Sequence, residues 1–306
     1  MRSPPVMGPM PPPSLPLRHY RNAVFDNARW AAFRPRAGDV VVVAPPKCGT
    51  TWTAKLCAML LHDSPALPRP LSRMAPWLDL TAAPLDGLIA ELDAAPGPRL
   101  IKTHTPGDGL PWYPQVRYVF CGRDPRDAFL SMLDHVRNSR DVARSGVPQG
   151  ARLDPNAIFP RWATEGAFPW MYDGAPFQSV VWFTESWWAW RDLANVHYTH
   201  YRDLSIDLDG ELRTLAAFLG REVDEARWPA FLAGGSFAEM KAAADAHAPG
   251  AHRGNWIRNA DFFREGRLDA WRDALNAENQ ALYEALNGAR LEPALKAWME
   301  RGRTAG

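Results

Sequence analysis

The chain has 306 residues, of which 46% are hydrophobic and 23% charged, with a formal net charge of +1. That length and composition suit a globular protein with a large core. A charge this near zero argues against a broad nucleic-acid surface, which carries a marked basic excess. Three cysteines, Cys48, Cys57 and Cys121, lie in or beside apolar runs without metal-ligand spacing. They read as reduced thiols of a cytoplasmic protein.

The first sixteen residues, MRSPPVMGPMPPPSLP, include seven prolines and lack the apolar core of a signal peptide. Residues 1–17 are therefore expected to be a disordered, Pro-rich tail, and 18–306 the folded domain. No apolar run approaches the roughly 18 residues of a membrane-spanning helix, so no membrane partner is expected. Residues 23–33 have mixed helical character.

The stretch VVVAPPKCGTTW (41–52) begins as a buried strand and turns through Pro-Pro. Residues 50–62 then carry apolar side chains at helical spacing. A strand entering a Gly-containing turn and then a helix leaves free backbone N–H groups at the helix start, an anion site to which Lys47, Thr50 and Thr51 add donors. Residues 65–76 are a proline-rich loop and 85–92 a short helix. A second strand, RLIKTHTP, ends in Lys102 and His104. A third, VRYVFC, leads through GRDP into a helix over 126–140, and residues 195–201 read as another strand, with a helix over 204–219 closed by Gly220. Strands alternating with helices predict an α/β domain: a central parallel sheet of about five strands with helices on both faces.

Residues 138–190 differ. They hold many Pro and Gly, little periodicity, and Trp162, Trp170, Trp182, Trp187, Trp188 and Trp190. A long irregular segment inside a domain is commonly functional, so a Trp-rich lid is expected; plain core packing is the alternative. Residues 248–264 are again irregular and basic, and 268–286 return to helix.

Lys47, Lys102 with His104, and Arg123 each follow a different strand, and the C-terminal edge of an open α/β sheet is where ligands bind. Taken singly, a turn lysine is usually just solvated, a strand-end histidine satisfied by backbone, and an arginine in GRDPRD a cap or surface ion pair. Their shared edge favours a site. The opening loop lacks the GxxxxGK[ST] spacing of a nucleoside-triphosphate loop, and no acidic strand end offers a magnesium ligand. Such a site suits a transferred group of low charge.

The chain resembles the cytosolic-type sulfotransferases, which use 3′-phosphoadenosine 5′-phosphosulfate, over about residues 27–283. PPKCGTTW is similar to the family's PKSGTTW loop, which implies that Lys47, Gly49, Thr50, Thr51 and Trp52 hold the 5′-phosphosulfate end, with Cys48 replacing a serine. RLIKTHTP resembles the strand bearing the catalytic Lys and His, here Lys102 and His104. GRDPRDAFLS is similar to the 3′-phosphate segment and implies roles for Arg123 and Ser131. HYRDL places Tyr201 near the adenine, and GGSFAEMK does the same for Ser236, Phe237 and Met240. FFREGRLDAW resembles RKGxxGDW and puts Arg264 and Gly266 on the 3′-phosphate, with Trp271 behind. Glu265 stands where the family has Lys. Asn276, Ala277 and Ala281 depart from the dimerisation stretch, so no dimer is carried over.

The resemblance implies transfer of a sulfuryl group to a hydroxyl of a small, apolar or aromatic acceptor, without a metal. His104, titrating near its ordinary pKa, would be the general base, and Lys47 and Lys102 would stabilise the charge that develops. For Trp52, adenine packing and plain core remain equal readings. The rival functions are a P-loop nucleotide kinase and a non-catalytic adenosine bisphosphate-binding relative.

Overall fold

The computed structural model describes residues 16–22, 24–140, 153–165, 179–263 and 266–303. Its centre is set by four successive valines, Val40–Val43, which form β1 and are all fully buried. A strand apolar on both faces must be covered on both, which requires an inner position in a parallel sheet. β2 (Leu100–Thr103) and β3 (Arg117–Gly122) flank β1, and β4 (Val196–His200) pairs outside β3. All pairings are parallel, in the order β2-β1-β3-β4. The sheet thus has four strands among the described residues, against the five or so expected.

Helices cover it. α1 (Thr50–Leu61) follows β1, α2 (Leu85–Ala94) precedes β2, and α3 (Pro125–Asn138) follows β3. Next come α4 (Pro155–Glu165) and α5 (Val180–Trp188). The residues after β4 divide into α6 (Tyr201–Ile206) and α7 (Leu208–Leu219), where a single helix was expected. Asp207 makes the break: its carboxylate accepts from the Gly210 N–H and caps α7 anew. α7 ends at Gly220 in the left-handed conformation, as read from the sequence. α8 (Trp228–Gly235), α9 (Phe237–Ala242), α10 (Ala277–Asn287) and α11 (Pro293–Arg301) follow, with single helical turns at Leu71–Met74, Ala244–His247 and Trp271–Ala274, the last separate from α10 where one helix over 268–286 was expected. No helix among the described residues is long and apolar enough to cross a membrane.

The tail expectation falls almost wholly outside the described residues, although the backbone N–H of Leu17 already donates to the Asp108 carbonyl. The lid expectation divides. Residues 141–152 and 166–178, including Trp170, lie outside the described residues. The tryptophans that are described pack into the body. Trp187 is fully buried, with its Nε1–H donated to the Thr105 carbonyl at 3.3 Å, and Trp162 packs against Phe129 and Phe159. Trp188 lies against Tyr198 and Trp298. Trp187 and Trp188 thus pack beside β3 and β4, whereas Trp182 is half-buried in a separate cluster with Tyr20 and Trp77.

At the N-terminal ends of the strands an ion pair fixes the start of β1 against β2. Asp39 and Arg99 have side chains 0% and 1% exposed. The Asp39 carboxylate accepts from Arg99 Nη2 at 2.5 Å and Nε at 3.1 Å, and from the backbone N–H groups of Arg99 and Arg36 at 3.0 and 2.8 Å. Removing one partner from such a pair strands a buried charge. Asp39→Ala is therefore expected to lower stability by about 3–5 kcal/mol, seen as a lower urea midpoint with unchanged slope. A loss below about 1 kcal/mol, the range of a surface pair, would show that the strand starts are held by other means.

Candidate active site

The chain runs from β1 to β2 on one side and returns to β3 on the other. The crevice at the C-terminal ends of β1 and β3 is the switch point where α/β sheets bind ligands. The loop after β1 fills its floor. Gly49 adopts φ 100°, and a Cβ there would meet Cys121 Sγ at 3.0 Å and the Tyr201 ring at 3.1 Å. Gly49 is also the N-cap of α1, and no side chain among the described residues caps it. The N–H groups of the first turn, from Thr50 to Trp52, are left for an anion, with the helix dipole behind them. The thiol of Cys48 is fully buried, with its Sγ 3.8 Å from the Pro46 carbonyl, so the change from serine falls on the packing side of the loop.

Three cations converge here. Arg123, just past β3, donates from Nη1 to the Lys47 carbonyl at 3.1 Å, and its guanidinium lies 4.2 Å from the Tyr201 ring centre. Its Nε–H is buried and has no partner among the described residues. A buried donor left open in a cationic crevice fits an anionic ligand. Loss of hydration, with Arg123 and Lys102 nearby, pushes the Lys47 ammonium down to about 7. Burial alone pushes Lys102 down to about 8. Lys47 Nζ also lies 3.2 Å from His135 Nδ1 and 4.3 Å from the Phe262 ring centre.

His104 follows β2. Its Nδ1 lies 2.7 Å from the Ala44 carbonyl oxygen, which can only accept, so Nδ1 carries the proton and Nε2 keeps its lone pair. The ordinary pKa expected from sequence does not hold. Burial and the charges of Lys102 and Lys47 push the imidazole down to about 3, so it is neutral throughout the working pH range.

What positions His104 is a residue that sequence reading missed. Asp79, fully buried, accepts from Thr103 Oγ1 at 2.5 Å, Thr105 Oγ1 at 3.1 Å, Trp77 Nε1 at 3.2 Å and also Trp30 Nε1. The His104 backbone N–H is 3.4 Å from the same carboxylate. Trp77 in turn stands edge-on to the His104 ring, centres 4.9 Å apart. An aspartate in a loop of ordinary composition gives no signal of this in sequence. Burial pushes its carboxyl up to about 6 against the pull of those donors, so it is mostly ionised at neutral pH.

The expected base-binding residues also come together. The Trp52 ring centre lies 5.5 Å from Tyr201 and 5.6 Å from Phe237, and its Nε1–H donates to the Gly235 carbonyl at 2.7 Å. Gly266, at φ 66°, abuts Phe237, whose ring a Cβ would meet at 2.9 Å. Met240 is fully buried, and the Ser236 hydroxyl accepts from the Glu239 N–H as the cap of α9. Ser131 is half-buried on α3, one turn before His135. Arg264 and Glu265 lie outside the described residues. Of the described residues, none form a cluster of three or more His, Cys, Asp or Glu side chains able to hold a metal.

Asp79→Ala is expected to cost about 3 kcal/mol or more, because several buried donors lose their acceptor together. Urea unfolding measures it, and an unchanged midpoint would show that the cluster carries no net stability.

The sulfotransferase domain family matches residues 37–293 of the chain. A glycolipid sulfotransferase of Mycobacterium bovis is 35% identical, over 93% of this chain and 94% of its own length. Two solved structures share the fold. A mouse sulfotransferase, SULT7A1, complexed with PAP has a TM-score of 0.69 at 21% identity, covering 90% of this chain and 94% of that one. Retinol dehydratase with androsterone and the inactive cofactor PAP has a TM-score of 0.67 at 21% identity, covering 86% of this chain and 84% of that one. A family match over this span, joined to a relative so similar along nearly the whole chain, decides the matter: the protein belongs to the sulfotransferase family and is a sulfotransferase enzyme.

Proposed function

We propose that the protein transfers a sulfuryl group from 3′-phosphoadenosine 5′-phosphosulfate to a hydroxyl of a small acceptor, with His104 as general base. The observation that carries this reading is the convergence at one sheet edge. An uncapped helix N-terminus, an arginine with an open buried donor and a neutral histidine with a free Nε2 meet there. The solved relatives bound to PAP support this donor.

The residues divide the work. The acceptor oxygen attacks sulfur while its proton passes to His104 Nε2. The bond from sulfur to the bridging oxygen breaks, and its electron pair stays on the 5′-phosphate side. Lys47 and the N–H groups of Thr50 to Trp52 stabilise that growing charge, and Lys102 contacts the sulfuryl oxygens. Arg123 and Ser131 hold the 3′-phosphate, while Trp52, Tyr201, Phe237 and Met240 enclose the adenine. Burial and two lysines depress this histidine, and anionic groups that offset the lysines restore part of its basicity, which favours proton transfer to Nε2 with the donor in place.

The acceptor side is more open. Trp77 is half-buried beside His104, with the Lys102 ammonium 5.5 Å from its ring centre, and offers aromatic surface for an apolar acceptor body. The name of the 35% relative favours a hydroxyl on a glycolipid as a second reading. An acceptor panel of alkyl alcohols, phenols and glycolipids with labelled donor separates these. Absence of turnover with every class would place the acceptor outside all three.

Donor binding is tested with adenosine 3′,5′-bisphosphate. Arg123→Ala is expected to weaken its binding by about 2–5 kcal/mol, as for a buried charge pair that loses one partner. Binding of the nucleotide lacking the 3′-phosphate should change far less. The pH dependence follows from the lysines. The free site loses charge above about pH 7 as Lys47 and then Lys102 deprotonate, whereas the bound phosphates favour the charged forms. Affinity should be greatest below pH 7 and fall as pH rises, with proton uptake in calorimetry. Equal affinity for nucleotides with and without the 3′-phosphate overturns the placement of Arg123.

His104→Ala is expected to lower turnover of an aliphatic alcohol by roughly 100- to 10,000-fold, with bisphosphate affinity nearly unchanged. Because His104 is already neutral in the free enzyme, kcat/KM should show no rising limb near pH 6.5. Near-normal turnover in the variant would make His104 structural.

A further inference from the structure

The contact between Lys47 and His135 is not used in the mechanism above. His135 projects from α3 four residues after Ser131, hence on the same face of the helix. Its ring is enclosed: Trp256 stands edge-on at 4.7 Å and Phe262 at 5.9 Å between centres. Phe262 also lies under the Lys47 amine, so one imidazole nitrogen and one aromatic face bracket that amine together. The backbone of Lys47 is fixed as well. It adopts φ 69°, uncommon for a lysine, and its carbonyl is bonded by Arg123. Few freedoms remain to this side chain.

When Lys47 is charged it can only donate, so His135 Nδ1 then accepts and its ring proton sits on Nε2. The choice of a neutral acceptor matters. A carboxylate at that place would cancel the lysine's charge and compete with the anionic donor for it. A neutral imidazole holds the amine more weakly and yields it to an oxygen of higher charge. Holding also removes rotamer freedom that a free lysine would lose on reaching the reacting oxygen.

We propose that His135 is a positioning residue for Lys47, keeping the amine beside the crevice floor and aimed toward the bridging oxygen while leaving its charge available. This rests on the reading that Lys47 stabilises that oxygen. Arg123, the Asp134 carboxylate, Lys102 and His104 are other charged or titratable groups that act on this pair.

Three variants test it: Lys47→Met, His135→Phe, which keeps a ring but lacks the acceptor, and His135→Asn, whose Oδ1 reproduces the acceptor at the Nδ1 position. His135→Phe is expected to lower kcat by about 10- to 100-fold, the range for one hydrogen bond to a charged group. The KM for donor and the affinity for adenosine 3′,5′-bisphosphate should stay within about threefold. His135→Asn should recover most of kcat. A role in packing alone gives a different pattern, because the polar, smaller asparagine would then be at least as impaired as phenylalanine. Wild-type kcat in His135→Phe, or no recovery in His135→Asn, overturns the proposal while a low rate in Lys47→Met leaves the reading of Lys47 standing. Wild-type turnover in Lys47→Met instead removes that reading and the proposal with it.

Discussion

Desolvation of three neighbouring cationic groups, Lys47, Lys102 and Arg123, is the constraint on which the site depends. Three cationic groups gather at one edge of the sheet, where hydration is reduced, and two of them are held below their ordinary pKa as a result. Such a group is unfavourable by itself and becomes favourable when an anion of several charges occupies the crevice. The remaining structure tolerates it because stability is supplied elsewhere: the valine strand at the centre, the Asp39–Arg99 pair at the far ends of the strands, and tryptophans packed beside β3 and β4.

The same field sets the character of the histidine. Beside carboxylates, His104 would be protonated near neutrality and unable to accept a proton. Buried and beside two lysines it stays neutral, and the Ala44 carbonyl fixes which nitrogen is free. The nearby carboxylate, Asp79, is turned away from the imidazole and toward Trp30, Trp77, Thr103 and Thr105. It shapes the strand end without neutralising the lysines. This separation of charge from support lets one short segment carry both the proposed base and its scaffold.

The loop after β1 shows the same economy at the level of the backbone. Two left-handed residues, Lys47 and Gly49, turn the chain sharply enough for the first N–H groups of α1 to face the crevice. The turn is held by three neighbours, since Arg123 bonds the Lys47 carbonyl, the Cys121 thiol donates to the Cys48 carbonyl and Tyr201 packs on Gly49. A strained residue persists only where its surroundings over-determine it. Here they come from β3 and from α6, elements 70 residues and more away in sequence.

Local chemistry determined much of this in advance. A run of valines before Gly-Thr-Thr, two further strands ending in Lys-Thr-His and Gly-Arg-Asp, and Gly220 closing a helix are signals carried within a few residues, and the α/β class, the parallel sheet and the gathering of Lys47, His104 and Arg123 at one sheet edge could be read from them. What sequence could not give depends on partners far along the chain. The number of strands depended on which segments actually pair. The packing of the tryptophans depended on what lay opposite them, since an aromatic cluster looks the same in a core as in a pocket. The pKa of His104 depended on burial and on the lysines beside it, and the roles of Asp79 and His135 on contacts spanning dozens of residues. Propensity and spacing are local properties that a sequence states directly; desolvation, charge proximity and tautomer are set by neighbours in space, and only the tertiary structure brings those neighbours together.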